Sequence, residues 1–164
     1  MNPTHPAVKI LIDLLGPEWH AVDLLVRDDQ AAIVEMRRDD LRETHILVAR
    51  RGGWVTPGVL TRNSTKVPAQ RPAVTAPEEP ILQVQQHASG WPSPDGSPPH
   101  EVWTSLDGIV AEDAVAVSLT TSSDHSQAAI RSDGTFLILV RASRGEQPDV
   151  MVHLRSGEQV QALL

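Results

Sequence analysis

The chain has 164 residues, of which 40% are apolar and 21% charged, so it can bury a core and is not a disordered chain. Fourteen Lys and Arg face 21 Asp and Glu, a formal charge of −7, and no basic block interleaved with aromatics occurs, which disfavours nucleic-acid binding. The absence of cysteine removes disulfides, thiolate metal sites and thiol nucleophiles together. With four Trp, one Phe and no Tyr, the core must be built from Val, Leu, Ile and Ala.

The first segment, Thr4 to Leu15, carries Val8, Leu11, Ile12 and Leu15 at helical spacing, with Thr4 as N-cap and Gly16-Pro17 as stop. Ile10 and Leu14 widen its apolar face, so the helix is either buried against a sheet or docked on a partner chain. Its apolar run is too short to span a bilayer, which needs about 20 residues, and it lacks the order of a signal peptide, so a cytoplasmic protein without membrane contact is expected.

From Trp19 the period changes. Trp19–Arg27, Ala31–Arg37 and Thr44–Arg50 are strand-length runs rich in branched residues, separated by Asp28-Asp29-Gln30 and Arg38-Asp39-Asp40, and predict an antiparallel meander. Gly52-Gly53 supplies a two-residue turn into a short strand, Trp54–Thr56. The pairs Arg37-Arg38 and Arg50-Arg51 read as solvated strand ends. Residues 57 to 99 then hold nine of the thirteen prolines, which breaks regular structure except for an edge strand at Ile81–Gln86.

The last third has the clearest β pattern. Asp113–Thr120 sets Val115, Val117 and Leu119 on one face, and Ser126–Arg131 follows. Ser132-Asp133-Gly134 is a hairpin signal into Thr135–Arg141, whose apolar character on both faces predicts a central strand. Asp149–Arg155 and Glu158–Ala162, joined at Ser156-Gly157, make a second hairpin.

The pattern Gly108–Leu119, then Asp133–Val140, then Pro148–Gly157 resembles Ig-like or carboxypeptidase-regulatory-like β domains of actinobacterial proteins. The resemblance covers about 60 residues, rests on core and turn positions, and implies a fold without implying a reaction.

Seven histidines occur, none in an HxH, HxxxH or HExxH arrangement that would set two imidazoles on one ion. His87, His100 and His125 with Asp124 all fall in expected loops and would have to converge to hold a metal. Ser122-Ser123-Asp124-His125 has the residue types of a hydrolase triad, but a relay needs side chains converging from separate elements. The acidic pairs Asp28-Asp29, Asp39-Asp40 and Glu78-Glu79 fall in turns, where acids bond local backbone. Trp91 and Trp103 flank the Pro-rich stretch; an exposed Trp91 beside Pro92 and Pro94 is a recognition element, whereas a buried one pins the loop to the sheet. Trp19 and Trp54 read as core caps.

The chain is therefore expected to be mainly β, an antiparallel meander plus an Ig-like sandwich unit with a short N-terminal helix. Residues 1–60 hold the helix and meander, 61–100 a Pro-rich connection, and 101–164 the Ig-like unit, unless all form one continuous domain. The expected function is a non-enzymatic protein-binding or accessory module contacting a protein partner through Trp91, Pro92, Pro94 and Trp103, with no cofactor, metal, nucleic acid or membrane, and with homo-oligomerisation open. The rivals are a hydrolase or metal-dependent enzyme with a dispersed His, Asp and Ser site, and a small-ligand carrier.

Overall fold

The protein, represented by a computed structural model, is described over residues 4–56, 64–90 and 95–164. Over the described residues it is mainly β, with antiparallel sheets and one short helix, and the chain divides into two compact units, 1–68 and 69–164. Among the described residues no helix is long and apolar enough to cross a membrane.

The first unit begins with helix α1, Pro6–Leu15. Its cap is His5, not Thr4: Pro6 takes the first helical position, where a missing N–H costs nothing, and the His5 Nδ1 accepts from the Ala7 N–H at 3.2 Å. The other end is closed by Gly16, whose φ of 110° lies outside the helical range and whose N–H donates to the Ile12 carbonyl at 3.0 Å. Strands β1 (His20–Arg27), β2 (Ala31–Arg38), β3 (Leu41–Arg50) and β4 (Gly53–Val55) follow as a meander, and β5 (Thr65–Lys66) pairs with the start of β3. Asp28 and Asp29 both adopt positive φ, the geometry of a type I′ hairpin turn whose twist matches the flanking strands. The β3–β4 turn is centred on Arg51-Gly52, because Arg50 pairs with Gly53; it lies one residue earlier than the glycine pair suggests.

The helix packs Ala7, Val8, Leu11 and Leu15 against Ala32, Val34, Met36 and Leu47 of the sheet. Trp19 joins this core and Trp54 packs half-buried against it. Of the widening residues, Leu14 stays 48% exposed, so the buried stripe is narrower than the sequence suggests. Arg37 is no solvated strand end: its Nε donates at 2.7 Å to Glu35, a buried carboxylate that also pairs with buried Arg42.

The second unit contains two sheets. One has the order β10-β7-β6, from β6 (Ile81–Ser89), β7 (Glu101–Val110) and β10 (Thr135–Ser143); the other has the order β12-β11-β8-β9, from β8 (Ala114–Thr120), β9 (His125–Ala129), β11 (Asp149–Leu154) and β12 (Gln159–Ala162). Leu106, Phe136, Ile138 and Val140 from the first sheet share one core with Val117, Leu119, Val150 and Val152 from the second, so the sheets pack face to face as a sandwich.

Three expectations change here. The Ser132-Asp133-Gly134 turn makes no hairpin, because β9 pairs with β8 while β10 crosses to the other sheet and pairs with β7. β10 is an edge strand, and its double apolar character reflects burial of both faces, not of both edges. The centre of that sheet is β7, which precedes the first strand expected in the last third of the chain. In β8 the core takes Ala114, Val117 and Leu119, while Val115 is 42% exposed; a register irregularity opposite His153 and Leu154 breaks the alternation at the start of the strand.

Candidate functional site

Trp91, Pro92 and Pro94 lie outside the described residues. Trp103 sits near the start of β7, in register between Ser89 and Arg141, half-buried, with the Arg141 guanidinium 5.0 Å above its ring. It belongs to the end of the sandwich where the β6–β7, β8–β9 and β10–β11 connections meet.

Acidic side chains join these connections. Asp124 accepts from the Arg141 N–H at 2.9 Å and from the His125 N–H at 2.8 Å, and Thr121 donates to the Arg141 carbonyl at 2.6 Å. Glu146 accepts from the Ser122 N–H, from the Ser122 hydroxyl at 3.0 Å and from the Ser143 N–H at 2.8 Å. The Ser122 backbone bond, then the Ser143 one, hold the Glu146 carboxyl below its ordinary range. The Arg144 N–H donates to the His100 carbonyl at 2.9 Å. Asp95 accepts from the hydroxyl and N–H of Ser97, which lower its pKa in that order and form a local Asx turn.

Between these loops lies an open cavity of about 540 Å³, lined by Ser97, Pro98, Pro99, His100, Ser143 and Arg144. Two prolines form a stiff apolar wall, and Arg144 and His100 bring a cation and a titratable ring.

Ser122, Asp124 and His125 form no relay. Asp124 is occupied by backbone N–H groups, Ser122 by Glu146, and the His125 ring pairs with the Thr120 hydroxyl at 2.8 Å. His87 lies not in a loop but on β6, its ring beside the Gln85 side chain, and no group of three metal-ligating residues occurs among the described residues.

No protein-family model matches the chain, and neither a curated protein nor a solved structure is similar to it beyond chance.

One pair escaped sequence reasoning. On the outer face of the four-stranded sheet the Ser118 hydroxyl lies 2.8 Å from the His153 Nε2, across the β8–β11 ladder. That is nucleophile–base distance. Ser118 is only 5% exposed, however, and among the described residues no carboxylate hydrogen-bonds the other His153 ring nitrogen to orient it. Nothing in the local sequence marks the pair, since the two residues are 35 positions apart and meet only through strand pairing.

Opposite this end, Arg71 donates to the carbonyls of Val110 at 2.8 Å and of Ala111, and Thr75 donates through both N–H and hydroxyl to Asp113 at 2.7 Å. Burial works to raise the Asp113 pKa, but the two Thr75 bonds, the residue's own N–H and Arg71 together outweigh it and leave the carboxyl below its ordinary value. These bonds strap residues 71–75 onto the sandwich.

Proposed function

We propose that the chain is a non-enzymatic binding module that takes an extended, carboxylate-bearing segment of a partner protein at the loop end containing Trp103. The observation that carries this reading is the cavity walled by Pro98 and Pro99 with Arg144 and His100 at its rim. Its loops are held by carboxylate-to-backbone bonds, so little ordering is left to be done on binding. An Arg beside a proline wall suits a peptide carboxylate on an extended backbone.

The Ig-like reading of the second unit is part of the same proposal. Taking β6, β7, β8, β9, β10, β11 and β12 as A, B, C, C′, E, F and G, the sheets read E-B-A and G-F-C-C′, an order that supports an Ig-type sandwich with binding loops at its ends.

The test is a titration with two extended peptides of equal length, one bearing Glu and one with Gln in its place, read by backbone amide shifts. The acidic peptide is expected to move residues 97–100, 103 and 143–144, and Arg144→Glu to abolish the response. Shifts elsewhere, or the same response to both peptides, would sink the assignment.

A second reading, a hydrolase, is favoured only by the Ser118–His153 distance. It requires ester turnover that disappears in Ser118→Ala and His153→Ala; turnover unchanged in both variants, or none in the wild type, removes it.

A further inference from the structure

β10 is an edge strand, and near its end two backbone N–H groups on alternate residues are taken by carboxylates: Asp124 accepts from Arg141 at 2.9 Å and Glu146 from Ser143 at 2.8 Å. The two acids differ in reach. Asp124 also accepts from its chain neighbour His125, whereas Glu146 crosses to the β8–β9 loop, taking the Ser122 N–H on one oxygen and the Ser122 hydroxyl, at 3.0 Å, on the other. One side chain thereby fastens two loops to each other.

Glu146 also closes the turn in which Arg144 sits. Its own N–H donates to the Ser143 carbonyl at 3.0 Å while its carboxylate holds the Ser143 N–H, so both backbone groups of Ser143 are fixed by one residue, and Gly145 takes the positive φ of 80° that the turn needs. Ser143 and Arg144 line the cavity, and Glu146 does not.

We propose that Glu146 is the positioning residue of the loop-end site: its ionised carboxylate clamps the β8–β9 loop to the β10–β11 turn and so fixes the Ser143–Arg144 wall of the cavity without touching the ligand. Its effect on affinity rests on the binding reading above; the clamp itself does not. Charge is essential to it. The three bonds use both oxygens, and a glutamine offers one acceptor oxygen while its amide nitrogen would meet an N–H at the other place. The same bonds, first to the Ser122 N–H and then to the Ser143 N–H, hold the Glu146 carboxyl low against the opposing effect of burial. The clamp therefore stays shut through the ordinary glutamate range and opens as pH falls through the lowered value. The other ionisable groups on the segments it joins are Asp124, His125, Arg141 and Arg144, with His100 and Glu101 at the start of β7 alongside. None of them is among the causes of the shift.

The test follows the backbone amide signals of the full chain across pH, in wild type and in Glu146→Gln. In wild type the Ser122 and Ser143 amides are expected to shift with one common midpoint below the ordinary glutamate range, and this transition should be missing from the variant. The variant is expected to keep the wild-type circular dichroism spectrum, to gain fast backbone motion at residues 121–124 and 143–146 in heteronuclear relaxation, and to bind the Glu-bearing peptide about tenfold more weakly, since binding must now order the loops. Should Glu146→Gln disturb the fold, Ser122→Ala decides: it removes one exposed hydroxyl, and the midpoint read at Ser143, on the other loop, must rise. Separate midpoints for the two amides, a midpoint in the imidazole range about two pH units higher, unchanged loop motion, or equal peptide affinity in variant and wild type each overturn the proposal. If neither protein binds the peptide, the binding reading fails and the amide signals still judge the clamp.

Discussion

At Gly108 a single hydrogen atom in place of a side chain sets how closely two strands approach. A Cβ there would overlap the Gln83 carbonyl oxygen on β6 and lie 3.0 Å from the Phe136 ring edge in the core. The neighbour is backbone, which cannot swing aside as a flexible side chain can. Gly108→Ala is therefore expected to destabilise the protein by about 1–3 kcal/mol, the usual cost of overpacking, measured as a fall in the urea midpoint. Asp113 makes a different residue-scale prediction. Its pKa in the folded protein lies below the unfolded value of about 3.9, so its bonds to Thr75 contribute stability above that pH and lose it as pH falls through the folded value. The stability gap between wild type and Asp113→Asn should be open near neutral pH and close as pH falls through the lowered folded value of the carboxyl. A gap independent of pH would mean that the carboxylate charge is not what the strap uses.

Among the elements, the helix shows how far local pattern reaches. Val8, Leu11 and Leu15 are buried as their spacing predicts, because a helix on a sheet can present only one stripe. Leu11 is fully buried in the helix–sheet core, so Leu11→Ala should cost about 2–5 kcal/mol in a denaturation experiment. The hairpins β1–β2 and β11–β12 were equally legible, since their turns join strands that are neighbours in sequence. β7 was not legible: Thr104, Ser105, Asp107 and Gly108 interrupt any apolar run, and its two neighbouring strands hold it extended. The pairing of β10 was misread for the same reason, because its partner lies in β7 and not across the adjacent turn.

At the scale of the whole molecule, the described residues form two hydrophobic cores, one around Leu11 and Leu47 and one around Leu106 and Phe136. The damage from Leu11→Ala should be local to the first. Native-state hydrogen exchange is expected to speed up for amides in α1, β2 and β3 while those of β7 and β11 keep wild-type protection, and uniform acceleration through both units would contradict separate cores. The candidate site also belongs to this scale, since Trp103, His100, Ser143 and Arg144 come from elements that only the sandwich brings to one end. Composition and periodicity by themselves determined that the chain is mainly β, that a short amphipathic helix leads it, and where most strands and tight turns fall. Those features depend on interactions between residues a few positions apart. The pairing of β10 with β7, the meeting of Ser118 with His153 and the capture of Asp124 and Glu146 by distant N–H groups were decided by tertiary structure alone. Each depends on which strands become neighbours, and strand pairing is set by the burial of whole faces, which no local window of sequence encodes.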